Sequence, residues 1–102
     1  MRVIKRLALQ DFWERWPAAR KPLENWYRVT VKTDWTSFPH VRASCGQTDI
    51  VKVASGNTVA VFDIGGNKFR LIAKISYEKG KVYVLRVLTH KEYDSGSWKE
   101  QL

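Results

Sequence analysis

Four side chains in the second half of the chain have types and spacing that could do chemistry: Lys68 and Arg70 in GGNKFR, and His90 and Tyr93 in THKEYD. Together they could cleave RNA without a metal ion. Such cleavage needs a base to draw the proton from a ribose 2'-hydroxyl, a cation to offset charge growing on the phosphate, and an acid to protonate the leaving 5' oxygen. Histidine, with an unperturbed pKa of about 6.5, can be base or acid near neutrality. The planar fork of arginine matches phosphate oxygens, which makes Arg70 the electrostatic partner. The same residues also fit a strand-end histidine among solvated surface charges, and on composition alone both readings stand. Other routes are closed. The chain has no GxxxxGK[ST], HExxH or GxSxG, and Gly65 with Gly66 reads as a turn rather than a dinucleotide fingerprint. Neither a cofactor nor a metal is expected. The single cysteine, Cys45, has no disulfide or metal-ligand companion and is expected to be a buried small residue in a reducing compartment.

The elements that must position these side chains are three runs, TVAVFDI, FRLIAKIS and KVYVLRVL, separated by GGNK and YEKG. Their Val, Ile, Leu, Phe and Tyr content and the turn glycines between them predict three antiparallel strands. A two-residue loop at Gly65 and Gly66 would set Phe62 opposite Phe69, Ala60 opposite Leu71 and Asp63 opposite Lys68. A three-residue loop of Glu78, Lys79 and Gly80 would align Ile75 with Tyr83, Ala73 with Leu85 and Leu71 with Val87. One sheet face is then apolar. The other gathers Arg70, Lys74 and Arg86, and His90 joins them by period two if the strand runs that far. A shift by one residue would turn the Arg86 guanidinium toward the apolar side at high cost.

Upstream, residues 2 to 5 are expected to form a short strand. Leu9, Phe12, Trp13 and Trp16 fall at i, i+3, i+4 and i+7, a helical stripe that Pro17 terminates. Pro22 suits the first turn of a second helix, where Leu23, Trp26, Tyr27 and Thr30 repeat the spacing to about residue 32. These aromatic residues are assigned to packing rather than base stacking. Residues 33 to 57 have a weak pattern, read as a long connection with a short helix over residues 39 to 44. His40 and Arg42 there could border a ligand or be solvated. The tail after Asp94 reads as brief.

The bulk properties fit one domain spanning residues 1–102. A 44% hydrophobic composition with five Trp supplies a core. Eighteen Lys and Arg against ten Asp and Glu leave a formal charge of +8, which favours a polyanionic partner such as RNA or DNA. The N-terminal stretch lacks a long apolar region, and no apolar run approaches the roughly 18 residues that span a membrane, so a cytoplasmic protein is expected.

FDIGGNKFRLIAKISY followed by VYVLRVLTHKEYDSGSWK resembles the HigB family of bacterial type II toxins, within the RelE-like group of mRNA interferases. The resemblance extends back through FWERWP, PLENWYRV and DWTSFPHVRAS, and the joined pattern of GGNKxR plus THKEYD is its most specific part. This chain departs from it at Asp63 and Phe69, where family members commonly carry Asn and Tyr, and at Leu85 and Arg86. The resemblance implies an α+β fold, an N-terminal strand and helical hairpin packed on a twisted, mainly antiparallel sheet. It also implies an endoribonuclease that cuts mRNA, generally on the translating ribosome. The partner would be a HigA-like helix-turn-helix antitoxin, through which alone the toxin would reach operator DNA. Carried onto matching positions, Arg70, His90 and Tyr93 would be catalytic, and Lys68 and Lys91 would contact phosphates. Lys74 and Arg86, from the basic face, complete the expected RNA-binding set. A non-catalytic RNA- or ribosome-binding module using that face is the alternative, distinguished by the absence of cleavage products.

Overall fold

A computed structural model describes residues 1–102. Its order is β1 (Arg2–Ile4), α1 (Leu7–Arg15), a 3₁₀ turn (Pro17–Ala19), α2 (Arg20–Val31), α3 (Phe38–Ser44), β2 (Thr48–Lys52), β3 (Thr58–Ile64), β4 (Phe69–Ser76), β5 (Lys81–Thr89), α4 (His90–Ser95) and α5 (Trp98–Gln101). The strands form one sheet in the order β1-β5-β4-β3-β2, with β1 parallel to β5 and every other pair antiparallel. The architecture is α+β.

The helical hairpin forms as its stripes dictate. Leu9 and Phe12 of α1 and Leu23, Trp26 and Thr30 of α2 are buried, whereas Trp16, at the end of its stripe, stays 45% exposed. Pro17 ends α1 and opens the 3₁₀ turn that joins the two helices. Their apolar face packs on Ala60, Phe62, Leu71, Ala73, Val82 and Val84, so alternate residues of three strands form the main core. Phe62 makes an edge contact with Trp26 and stacks on Trp35, which anchors the chain leading into α3. Ser37 caps α3 by accepting from the His40 backbone N–H. His40 and Arg42 lie exposed on that helix, and the His40 Nδ1 accepts from the Thr36 N–H. Cys45, expected to be buried, is half-buried, and that partial burial raises its pKa.

The first hairpin differs from the expected register. Ile64 pairs with Phe69, Asp63 with Arg70 and Phe62 with Leu71, so the loop comprises Gly65, Gly66, Asn67 and Lys68. Gly65, Gly66 and Asn67 all have positive φ, a left-handed run that glycine and asparagine tolerate and that makes room for the longer loop. The slip is two residues. Each side chain therefore keeps its expected face, but the partner of Asp63 becomes Arg70 instead of Lys68.

The second hairpin contains both registers that the sequence sets against each other. Leu71 pairs with Val87 and Ile72 with Arg86 as expected, but Ala73 pairs with Val84 and Ile75 with Val82. Leu85 is the extra residue of a β-bulge that absorbs the shift. Arg86 thereby stays off the helix-covered face while Val82 and Val84 turn into the core.

Two further elements lie where the sequence pattern is weakest. Residues 48 to 52, expected as connection, form the edge strand β2, in which only Thr48 is buried. The tail is not merely brief. It folds into α5, whose buried Trp98 covers Val53, Val59, Val61, Ile72 and Leu88 on the sheet face opposite the helical hairpin.

Candidate active site

The strand that was to carry His90 onto the sheet ends at Thr89, and His90 opens α4. The turn into that helix is fixed by a reciprocal capping box. Thr89 Oγ1 accepts from the Glu92 N–H at 3.2 Å, and Glu92 Oε1 accepts from the Thr89 N–H at 2.9 Å. Gly96, with φ 76°, ends the helix. The His90 N–H donates to the Lys68 carbonyl at 3.0 Å, so the first hairpin loop and α4 are joined through their backbones.

His90, Tyr93 and Asp94 are then set by helical spacing. His90 and Tyr93 are i,i+3 neighbours, and the His90 Nε2 lies 2.9 Å from Asp94 Oδ2. Both members of that pair are more than half exposed, so Asp94 orients the imidazole more than it stabilises the fold. With Nε2 donating to the carboxylate, the lone pair of a neutral imidazole sits on Nδ1.

Arg70 supplies the cation from β4. It is only 8% exposed, which is unusual for arginine, and its partners explain how it is tolerated. Nε lies 3.0 Å from Asp63 Oδ1, and Nη1 donates to the carbonyls of Asn67 at 2.9 Å and Phe69 at 3.2 Å. The guanidinium lies 5.0 Å from the centre of the Tyr93 ring, in cation–π range. Nη2 has no protein acceptor. Arg70 is therefore held at Nε and Nη1, and Nη2 is the nitrogen left without a protein partner.

Tyr93 joins these parts. Its ring lies between Arg70 and Trp98, stacked on the indole at 5.3 Å, and the Trp98 Nε1–H donates to the Tyr93 carbonyl at 3.0 Å. Burial raises the Tyr93 pKa. The Arg70 charge opposes that shift, and the carboxylates of Asp49, Asp63 and Asp94 add to it. At neutral pH the hydroxyl is a proton donor.

The other expected site residues are spread more widely. Lys68 is exposed in the hairpin loop and Lys91 is exposed on α4, both next to this cluster in sequence. Arg86 is half-buried opposite Ile72, its Nη1 donating to the Leu85 carbonyl at 2.8 Å. Lys74 is exposed opposite Tyr83, farther along the same sheet face. Asp63, Asp94 and Trp98 are absent from the expected set. The Asp63 pairing was hidden by the loop length, and Asp94 would have followed from placing His90 on a helix. No three His, Cys, Asp or Glu side chains come together in a way that could hold a metal ion.

Residues 19–96 match the family model of HigB_toxin, the RelE-like toxic component of a toxin-antitoxin system. The chain belongs to the HigB toxin family. Over 94 residues it is 31% identical to the mRNA interferase toxin HigB of Escherichia coli strain K12, covering 92% of this chain and 88% of that protein. The mRNA interferase HigB of Shigella flexneri matches to the same extent. That of Escherichia coli O6:H1 strain CFT073 is 29% identical over 92% of this chain and 89% of its own. The match spans the hairpin loop, Arg70 and α4, so the capping box and the buried cation belong to the HigB-matching part of the chain.

Proposed function

We propose that this HigB-family toxin is an mRNA endoribonuclease whose catalytic groups are Arg70, His90 and Tyr93. The observation that carries the reading is the packing of the Arg70 guanidinium on the Tyr93 ring, one helical turn from an imidazole already hydrogen-bonded to Asp94. A cation, a proton donor and a proton acceptor thus share one end of the sheet. In the reaction, His90 Nδ1 takes the proton of a ribose 2'-hydroxyl and the 2' oxygen attacks phosphorus. The bond to the 5' oxygen breaks, and the Tyr93 hydroxyl protonates that leaving oxygen. The products are a 2',3'-cyclic phosphate and a 5'-hydroxyl end. Nη2 of Arg70 faces the growing charge, a contribution worth about 2 to 4 kcal/mol. Lys68, Lys91, Arg86 and Lys74 bind flanking phosphates, and no metal or cofactor takes part.

The raised Tyr93 pKa keeps this acid protonated, so cleavage persists to higher pH than an ordinary tyrosine, with its value of 10.0, would allow. The finer setting follows the family: action on mRNA at the translating ribosome in the cytoplasm, neutralisation by a HigA-like helix-turn-helix antitoxin, and contact with operator DNA through that antitoxin alone. No helix of the chain is long and apolar enough to cross a membrane. Inducing the protein in a bacterial cell and mapping RNA 5' ends tests the reading. New 5'-hydroxyl ends in mRNA, reproduced with purified protein added to mRNA-bearing ribosomes, are expected. RNA affinity that weakens with salt and leaves every strand intact would instead establish the non-catalytic binding module.

A further inference from the structure

A basin of about 510 Å³ opens on the Arg70-bearing face of the sheet, between the end of β1 and the β4–β5 turn, where no expected catalytic residue lies. Lys5, Lys74 and Lys79 line it with Tyr83 and Leu85, and it has no acidic lining residue. None of the three lysines is in an ion pair. Unpaired cations around a half-buried aromatic ring form a surface for a chain of alternating phosphates and bases.

The backbone supports this reading in two ways. Lys5 has φ 67°, a left-handed conformation that glycine or asparagine would adopt at less cost, yet a lysine occupies it and lines the basin. The Leu85 bulge sets the register that pairs Tyr83 with Lys74, putting ring and ammonium on one face. Lys74 is four residues from Arg70 on β4, about 13 Å along the strand, and Arg86 lies between them on β5. The cations therefore run from the cutting site into the basin.

We propose that this basin is a second, sequence-tolerant subsite for single-stranded RNA, in which one base stacks on Tyr83 and the adjoining phosphates lie on Lys5, Lys74 and Lys79. The proposal rests on the endoribonuclease reading for its ligand: the occupant is a flanking part of the strand whose scissile phosphate lies at Arg70. An acidic protein segment is the competing occupant. The half-buried ring and the row of cations that leads to Arg70 favour RNA over it.

The test uses 2'-O-methyl oligoribonucleotides of three and eight nucleotides, which lack the attacking hydroxyl and so report binding alone. Anisotropy is measured over a range of salt with wild type, the double variant Lys5→Asn plus Lys79→Gln, and Tyr83→Leu. Asparagine suits the left-handed position, so loss of affinity without loss of melting temperature separates binding from folding. Wild type should prefer the eight-mer to the three-mer. The lysine double variant should lose that preference, and its salt slope for the eight-mer should fall by about 1.4, close to 0.7 for each phosphate contact removed. Tyr83→Leu should weaken eight-mer binding about tenfold with the slope unchanged. Wild-type eight-mer affinity and slope in these folded variants would overturn the subsite, as would loss of binding to a poly-glutamate peptide with RNA binding intact. Failure of the wild type to prefer the longer strand would do the same. Length-dependent binding by a wild type that cuts no RNA would sink the cleavage reading and leave the subsite standing.

Discussion

The two faces of the sheet are built on opposite rules. The face under α1 and α2 is apolar throughout, with Phe62, Leu71 and Val84 each 1% exposed or less, and its content is stability. The other face mixes an apolar patch around Ile72 and Trp98 with Arg70, Asp63, Arg86 and Lys74, and there burial serves to hold charge in place. A carboxylate on Nε and two backbone carbonyls on Nη1 make a buried guanidinium tolerable, but they also fix which nitrogen of it is left over for a ligand. The first face depends on filled volume. The second depends on particular atoms.

If that contrast holds, the largest loss of stability comes from the first face. Phe62→Ala removes a ring packed between Trp26 and Trp35 and should cost about 3 to 5 kcal/mol in denaturant unfolding. On the second face, Asp63→Ala strands the Arg70 charge and should cost about 3 kcal/mol, although it removes far less apolar volume. Equal losses from Asp63→Ala and from alanine at the exposed Asp49 would show that the ion pair contributes nothing. Arg70→Lys keeps a cation but loses the fork, so cleavage should fall about 100-fold to 1000-fold while the melting temperature drops less than for Asp63→Ala. The smallest effect belongs to the loop that joins the site to the sheet. Gly66→Val meets no neighbouring atom but must take φ 63°, and should cost about 1 kcal/mol. An unchanged melting midpoint would remove the left-handed loop from the account.

The same contrast separates what the sequence makes legible from what it does not. TVAVFDI, FRLIAKIS and KVYVLRVL are dense in β-formers and lie between glycines, so three strands and their faces follow from residue type. The helical stripes of Phe12 and Trp26 are equally plain. Register is not, because loop length depends on how many residues adopt positive φ, and Asn67 does so alongside two glycines. That slip concealed the Asp63–Arg70 pair, while the bulge at Leu85 let two competing alignments coexist. β2 escapes because an edge strand with exposed Asp49, Ile50 and Lys52 carries little alternation. α5 is a four-residue helix, too short to announce itself, and forms because Trp98 is buried against the sheet. Among the site residues, Arg70, His90 and Tyr93 are marked by type and by resemblance. Asp94 becomes visible only once α4 is known to begin at His90.

The central claim is that the Arg70 end of the charged face does the cutting, with His90 as base and Tyr93 as acid. Single-turnover cleavage of ribosome-bound mRNA by wild type, His90→Ala and Tyr93→Phe, with RNA affinity measured at matched salt, tests it most directly. Each variant should slow the cleavage step by about 100-fold to 10,000-fold with little change in affinity, and Tyr93→Phe should fail even though its ring still stacks on Trp98. Cleavage at the wild-type rate by both folded variants would contradict it.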